Sequence, residues 1–192
     1  MTTGRLIAVV GPSGVGKDSV MQALARRRPG LHLVRRVITR PEDAGGEDFE
    51  GVSEAEFTRR AEAGDFALHW RAHGLAYGVP VGVRQVLGAG RDALVNLSRA
   101  VLPEAQARFD RFAVLSLTAA PSILADRLAA RGRETRDDIA RRLERAGFAL
   151  PDGIETVVTV DNGGALDETV QRVIDRLHLD ETSKNSTREV TQ

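Results

Sequence analysis

The chain has 192 residues, 42% of them hydrophobic, which fits a single α/β domain with small inserted lobes. Its 27 basic and 27 acidic residues cancel, so no overall field would draw the protein onto nucleic acid or a membrane, and any anionic ligand must be held by local clusters. The absence of cysteine excludes disulfides, a thiol nucleophile and a cysteine-based zinc site. No stretch approaches the ~20 apolar residues of a membrane span and no signal-peptide pattern opens the chain, so we expect a cytoplasmic protein. The sequence does not indicate an oligomeric state.

The predicted elements alternate between strands and helices. The apolar run over 6–10 is continuous and ends in glycine, which is typical of a strand buried on both faces. Apolar side chains at helical spacing follow until Pro29 ends the pattern. Ser53, with Glu56 three residues later, is a capping-box pattern that opens another helix. In chain order, the predicted elements are strand 6–10, helix 17–28, strand 31–38, loop 39–51, helix 53–63, strands and turns over 64–82, strand 93–96, a helix through 109, strand 112–117, helices 121–131 and 136–147, strand 156–160 and helix 164–178.

This order of elements predicts an α/β fold with a central parallel sheet that helices cover on both faces. The segment over about 39–82 interrupts the alternation and predicts an inserted lobe. We expect one domain over 1–180, whose core comprises 1–38 and 83–180. The polar tail over 181–192 is expected to fray.

The glycine-rich segment after the first strand matches the phosphate-loop pattern G-x-x-x-x-G-K. Its glycines allow backbone N–H groups to turn toward phosphate oxygens, the helix N-terminus adds partial positive charge, and Lys17 reaches the β- and γ-phosphates. Asp18 stands where Ser or Thr usually contacts Mg²⁺, and because a carboxylate can also ligate this ion, we expect ATP with Mg²⁺ held at Asp18. The predicted ATP-binding residues are Gly11, Pro12, Ser13, Gly14, Val15, Gly16, Lys17, Asp18 and Ser19.

Beyond this loop, residues 5–178 resemble the guanylate-kinase branch of the nucleoside monophosphate kinases. The landmarks are GPSGVGK, VITRP (37–41), GEDF (46–49), GDF (64–66), the Tyr77-Gly78 pair and an arginine-bearing lid over about 127–145. The resemblance implies a P-loop kinase whose inserted lobe binds the phosphoryl acceptor and whose helical lid closes over ATP. It also implies that Arg40 and Tyr77 bind an acceptor phosphate. Groups that read guanine or add a second phosphate-binding arginine in that branch are replaced here by His69, Val79, Phe49 and Asp43.

The combination of motifs is most similar to a related family, the ribose 1,5-bisphosphate phosphokinases of phosphonate breakdown. The resembling segments are GPSGVGKDS (11–19), VITRP followed by GGED (45–48), HWRAHGLAYG (69–78), VNLSRA (95–100) and RGRE (131–134). That family transfers the γ-phosphoryl group of ATP to the 1-phosphate of ribose 1,5-bisphosphate and forms 5-phospho-α-D-ribosyl 1-diphosphate (PRPP). Only the resemblance indicates this acceptor. It also implies that the binding partners are small molecules.

The candidate site residues follow from the motif and from the two resemblances. Three lid arginines have the spacing at which guanylate kinases contact ATP and the transferred group, although acids at 137, 138 and 144 also allow simple surface ion pairs. A histidine such as His69 is more often a packing or hydrogen-bonding residue than a catalyst. The predicted catalytic residues are Lys17, Arg127, Arg131 and Arg142. The predicted acceptor-binding residues are Arg36, Arg40, His69, Tyr77, Asn96 and Arg99.

Two other functions remain open at this point. The first is a nucleoside monophosphate kinase with altered base preference, against which stands the loss of base-reading groups while phosphate-binding residues persist. The second is a non-catalytic guanylate-kinase-like binding module. Such modules usually have degraded phosphate loops, whereas this chain keeps Lys17 and the lid arginines.

Overall fold

The structure of the protein is a computed structural model that describes residues 3–42, 47–130, 139, 143 and 148–179. Several predictions fall outside this part of the chain. They concern Asp43, Arg131, Arg142, most of the helix expected over 136–147 and the tail over 181–192.

The described strands belong to two sheets. In chain order, they are β1 (Leu6–Val10), β2 (His32–Leu33), β3 (Arg36–Ile38), β4 (Phe49–Gly51), β5 (Phe66–Ala72), β6 (Leu75–Pro80), β7 (Ala93–Asn96), β8 (Phe112–Thr118) and β9 (Val157–Asp161). The helices are α1 (Lys17–Arg27), α2 (Glu54–Glu62), α3 (Val83–Gly88), α4 (Leu102–Arg108), α5 (Pro121–Ala129) and α6 (Leu166–Leu177), with a 3-10 turn at Arg99–Val101 before α4. In the part of the chain that the structure describes, no helix is both long and apolar enough to cross a bilayer.

The main sheet is parallel and has the strand order β2-β7-β1-β8-β9. Its central strand, β1, is buried along its whole length, as its uninterrupted apolar sequence predicts. Alternate side chains of β1 pack into two hydrophobic cores, one on each face of the sheet. Ile7 and Val9 pack with α1 and α6, whereas Leu6, Ala8 and Val10 pack with α3 and α4 on the other face. The expected α/β fold, a parallel sheet covered on both faces, is confirmed.

The lobe is a second sheet with the strand order β4-β3-β6-β5, in which β3 and β5 both run antiparallel to β6. The single strand predicted over 31–38 is wrong. β2 pairs with β7 in the main sheet, and β3, which starts at Arg36, pairs with β4 and β6 in the lobe. The chain changes sheets within two residues. Because both strands are short and border apolar positions, the local pattern carries no sign of the change of partner.

A β-bulge in β5 decides which side chains of the lobe face the core. Phe66 lies opposite Pro80 and Leu68 opposite Val79, so the register shifts by one residue between them. Phe66 therefore packs outward with Phe57 of α2, whereas Leu68 packs into the core beneath the lobe. Trp70, two residues beyond Leu68, packs on the same core face.

The first turn of α2 shows half of the predicted capping box. The Ser53 hydroxyl accepts a hydrogen bond from the Glu56 backbone N–H at 3.2 Å, which caps the helix as expected. The Glu56 carboxylate does not complete the box, because it accepts hydrogen bonds from Arg59 and Arg60. The hydrogen bonds from these two arginines lower the pKa of Glu56 to about 2.

Candidate active site

The phosphate loop connects β1 to α1 and requires glycine at two of its positions. Gly14 and Gly16 have positive φ values of 83° and 90°, a region that other L residues rarely adopt. A Cβ on Gly16 would also lie 2.9 Å from Nδ2 of Asn162. Lys17 is the first residue of α1, and its Nζ donates to the Gly11 carbonyl at 3.0 Å across the loop. The first N–H groups of α1 have no acceptor within the helix, so the loop offers donors and partial positive charge to a phosphate.

The loop is held from beneath by Asn162, which follows β9. The Asn162 amide donates from Nδ2 to the Val15 carbonyl at 2.7 Å, and its own N–H donates to the Thr118 carbonyl at 2.7 Å. Asn162 is 4% exposed and Val15 is fully buried, so this hydrogen bond is sheltered from water. Our sequence reasoning missed Asn162. Its position after the carboxyl end of a parallel strand was the available signal, since ligands of open α/β sheets bind at that edge.

Arg127 lies beneath the same loop. Its guanidinium donates to the Asn162 carbonyl at 2.8 Å and to the Val15 carbonyl at 3.4 Å, from the last turn of α5. These contacts support the backbone of the loop. Arg131 and Arg142, the other two predicted lid arginines, lie outside the described residues.

On the lobe, Arg36 lies against a pair of stacked aromatic rings. Trp70 and Tyr77 stack with 5.3 Å between centroids, and the Arg36 guanidinium carbon lies 5.7 Å and 5.2 Å from the two rings. We call these three residues the acceptor face. Arg36 is only 5% exposed, and its guanidinium is paired with the carboxylate of Glu47. The structure therefore groups two of the predicted acceptor residues, Arg36 and Tyr77, on one surface.

Arg40 lies two residues beyond the end of β3 and contacts a different ring. Its guanidinium carbon lies 4.4 Å from the centroid of Phe49, which is 3% exposed. Phe49, which stands where guanylate kinases have a tyrosine, thus packs under Arg40, the arginine predicted to bind a phosphate. Arg35 holds the neighbouring loop, because it donates to Asp48 at 2.9 Å and to the Phe49 carbonyl at 3.0 Å. The hydrogen bond with Asp48 raises the pKa of Arg35.

The remaining predicted acceptor residues lie elsewhere. His69 points away from the acceptor face because it precedes Trp70 in a regular part of β5, where successive side chains alternate between the two faces. Its ring lies 6.1 Å from the ring of Phe66 on the outer side. Arg99 stacks on Phe148 at 4.1 Å and donates to the Ala149 carbonyl at 2.9 Å, so it contacts the segment that follows the lid. Asn96 ends β7 beside Val9 of β1, near the start of the phosphate loop. The structure therefore places His69 on the face of β5 opposite to Trp70, and the acceptor role of Arg99 stays a prediction.

A cleft of about 190 Å³ separates α1 from the lobe. Asp18 lines it on the side of the phosphate loop, and Glu47 and Asp48 line it on the side of the lobe. Among the described residues, no group of three or more His, Asp and Glu side chains is placed to hold a metal ion by itself. Mg²⁺ in kinases is usually held by one or two carboxylates, water and the substrate phosphates. The oxygen donor of Asp18, next to the loop, fits that pattern.

Comparison with known sequences identifies relatives over nearly the whole chain. A family model described as an AAA domain matches residues 7–147. A protein of Ruegeria sp. (strain TM1040), named ribose 1,5-bisphosphate phosphokinase PhnN, is 56% identical over 167 residues, which cover 87% of this chain and 88% of that protein. A protein of the same name from Agrobacterium fabrum is 47% identical over 172 residues, with 88% and 93% covered.

Solved structures match the fold at lower identity. The guanylate kinase of Anaplasma phagocytophilum has a TM-score of 0.64 at 19% identity and covers 96% of this chain and 89% of its own. A gluconokinase of Sinorhizobium meliloti has a TM-score of 0.51 at 19% identity, with 94% and 99% covered. These two likenesses show a kinase fold of the P-loop type and do not distinguish its acceptors. The identities to the curated relatives are much higher, and they show that the chain belongs to the family of the ribose 1,5-bisphosphate phosphokinases.

Proposed function

We propose that the protein transfers the γ-phosphoryl group of ATP to the 1-phosphate of ribose 1,5-bisphosphate, and that PRPP and ADP are the products. The observation that carries this proposal is the acceptor face. There the buried Arg36 guanidinium lies against two stacked rings, an arrangement that suits a phosphate better than a nucleotide base. The two relatives described above are named for the same acceptor. ATP and Mg²⁺ are supplied in the cytoplasm, where we place the reaction.

In the proposed reaction, a phosphate oxygen on C1 of the ribose attacks the γ-phosphorus, and the bond between that phosphorus and the β,γ-bridging oxygen breaks. Because the attacking oxygen is already anionic, no side chain has to remove a proton from it. Catalysis then consists of positioning and of stabilising the negative charge that spreads over the transferred group. Asp18 would hold Mg²⁺ with ATP, and the ion would neutralise part of this charge. Lys17 and the phosphate loop orient the donor, and Arg131 and Arg142 are the proposed contacts to the transferred group.

The acceptor would bind between α1 and the lobe, in the cleft that Asp18 and Glu47 line from opposite sides. Arg36 and Arg40 are the basic side chains of the lobe that we propose for its phosphates, with Tyr77 beside them. Arginine suits this role because its planar guanidinium presents several donors in a fixed geometry that matches phosphate oxygens.

A guanine base finds poor complementarity on the same lobe. Val79, at the position after the Tyr-Gly pair, is fully buried in the core and offers no polar group. His69 lies on the outer side, with Phe57 and Phe66. A base bound here would lose hydration of its polar edge without replacement hydrogen bonds, which costs about 1–3 kcal/mol for each unpaired group. These features disfavour the alternative of a nucleoside monophosphate kinase.

The test is an assay of ADP release with four acceptors in parallel: ribose 1,5-bisphosphate, GMP, AMP and ribose 5-phosphate. We expect kcat/KM for ribose 1,5-bisphosphate to exceed that for GMP by at least ~10²-fold, the equivalent of two or more lost hydrogen bonds. Activity should require Mg²⁺ and no further metal. A preference for GMP would overturn the proposed acceptor and leave the kinase fold unaffected.

A further inference from the structure

Glu47 is the carboxylate partner of the buried arginine on the acceptor face. It lies two residues before β4, and both Nε and Nη2 of Arg36 donate to its carboxylate, Nε at 3.1 Å. The Arg36 side chain is 6% exposed and that of Glu47 is 18% exposed. Ion pairs this sheltered from water interact strongly, in contrast to pairs on an open surface.

Glu47 and the two aromatic rings hold the Arg36 guanidinium from different directions. Trp70 and Tyr77 lie nearly parallel, with 9° between their ring planes, and the Arg36 guanidinium is within 6 Å of both ring centroids. Glu47 engages the edge that carries Nε and Nη2. Within the described residues, Nη1 of Arg36 donates to no acceptor, so that edge can still donate to an incoming phosphate.

Removal of the Glu47 charge would leave a guanidinium in a site with little water. A buried charge without a partner is strongly unfavourable, so the side chain would turn toward solvent or recruit a different anion. In either case the donors of Arg36 would no longer be held in one orientation before the acceptor arrives. Preorganised donors bind better because the ordering of the side chain is completed before binding.

We propose that Glu47 is a positioning residue for acceptor binding, which acts through Arg36 by holding the guanidinium on the Trp70–Tyr77 stack and leaving its Nη1 edge for the acceptor phosphate. This inference rests on the proposed function for its account of the acceptor. Glu47 itself is not assigned a bond to the substrate. The glutamate of the motif GGED, which is otherwise only a landmark of the family, thereby gains a physical role.

Two rival roles give different results. If Glu47 competed with the acceptor phosphate for Arg36, the acceptor would have to displace it, and the variant Glu47→Gln would bind the acceptor more tightly. If Glu47 only stabilised the lobe, Glu47→Gln would lower the melting temperature and leave the KM of the folded enzyme unchanged. The sign of the change in acceptor KM separates these roles from the proposed one.

The first experiment compares steady-state kinetics of the wild-type enzyme with those of Glu47→Gln, with ribose 1,5-bisphosphate and ATP varied separately. We expect the acceptor KM to rise by about 10- to 100-fold, the range for one charge-assisted hydrogen bond, while the ATP KM changes by less than about twofold. Glu47→Asp keeps the charge and should recover part of the loss. It also provides the measurement if Glu47→Gln does not fold. A lower acceptor KM in Glu47→Gln, or an unchanged acceptor KM in both variants, would overturn the proposal.

A double-mutant cycle tests whether Glu47 acts through Arg36. In an Arg36→Lys background, the further change Glu47→Gln should alter the acceptor KM by less than about threefold, because residues that act as one unit give non-additive effects. Fully additive effects would contradict the proposal. The matched control is Glu50→Gln, which removes a nearby carboxylate that pairs with Arg60 of α2, and it should leave the acceptor KM unchanged.

The second experiment requires no acceptor. Trp70 is the single tryptophan of the chain, so intrinsic fluorescence reports on the ring beneath Arg36. Glu47→Gln should change the emission maximum and increase quenching by acrylamide, whereas Glu50→Gln should do neither. Identical spectra and quenching for wild type and Glu47→Gln would contradict the positioning role. If ribose 1,5-bisphosphate were not the acceptor, the wild type would show no turnover with it, and the fluorescence result would still decide the role of Glu47.

Discussion

Asn162 donates a hydrogen bond from its side-chain amide to the carbonyl oxygen of Val15, at 2.7 Å, inside the phosphate loop. The two residues are 147 positions apart in the chain, yet the Asn162 amide would also lie 2.9 Å from a Cβ at Gly16. The end of the last described strand thus sets the shape of the loop that follows the first. The geometry of the ATP site therefore depends on the completed main sheet.

We expect Asn162→Ala to weaken both the fold and the ATP site. Loss of a buried hydrogen bond costs about 1–3 kcal/mol, which corresponds to a melting temperature lower by about 2–10 °C for a chain of this size. The ATP KM should rise several-fold, because the Val15 carbonyl keeps only the longer contact to Arg127. Differential scanning fluorimetry and ATP titrations measure the two effects. Gln171→Ala, on the exposed side of α6, is the control and should alter neither.

Lys17→Ala should abolish phosphoryl transfer without unfolding the domain. The ammonium lies over the loop, 3.0 Å from the Gly11 carbonyl, where a phosphate would bind, and its loss removes several kcal/mol of transition-state stabilisation. We expect kcat below about one tenth of the wild-type value, with an unchanged circular dichroism spectrum. Lys184→Ala removes the other lysine and should be fully active. A Lys17→Ala enzyme with near-normal kcat would contradict the proposed site.

The three lid arginines should divide into two groups. Arg127→Ala should lower the melting temperature and raise the ATP KM, because its guanidinium holds the carbonyls of Val15 and Asn162. Arg131→Ala and Arg142→Ala should lower kcat more than they raise KM, as expected for contacts made mainly in the transition state. Steady-state kinetics with thermal melts separate the groups. Wild-type kinetics in either of the last two variants would place that arginine among surface ion pairs.

The pH dependence of stability should include a contribution from His32. Burial, and secondarily the positive charge of Arg91, lower the pKa of His32 below its ordinary value of 6.5. As the pH falls through 6.5, the unfolded chain binds a proton more readily than the folded protein, so the free energy of unfolding decreases. Well above pH 6.5, His32 is neutral in both states and this loss of stability does not occur. Urea unfolding at pH 7.5 and 5.5 should therefore show a smaller difference for His32→Gln than for the wild type. An equal difference would contradict the assignment.

The sequence predicted those parts of the structure that depend on short-range patterns. The apolar run of β1, the glycines before Lys17 and the Ser53 cap each specify local geometry, and each lies where it was expected. The alternation of strands and helices was sufficient for the parallel sheet. The phosphate loop could be located to the residue because its glycines meet a backbone requirement that few other sequences satisfy.

The missed features depend on tertiary contacts. The change of sheet between β2 and β3 depends on which strands are available as partners, and Asn162 is recognisable only by what it touches across the fold. The contact of Arg99 with the ring of Phe148 is likewise visible only in the folded chain, and the role of Arg99 at the acceptor stays a prediction. α3 was not predicted, since its six residues are too few for a helical period to be distinct.

The bulge in β5 implies that residue count, as well as residue type, encodes the lobe. Ala67 is the extra residue of the bulge, since Leu68 to Ala72 pair without a break with Val79 to Leu75. Beyond it the side chains alternate between the two faces, so one residue added or removed between Leu68 and Trp70 would put these two side chains, which now share the core face, on opposite faces. Among natural homologues, we therefore expect insertions and deletions to be excluded from this stretch even where its residues vary freely.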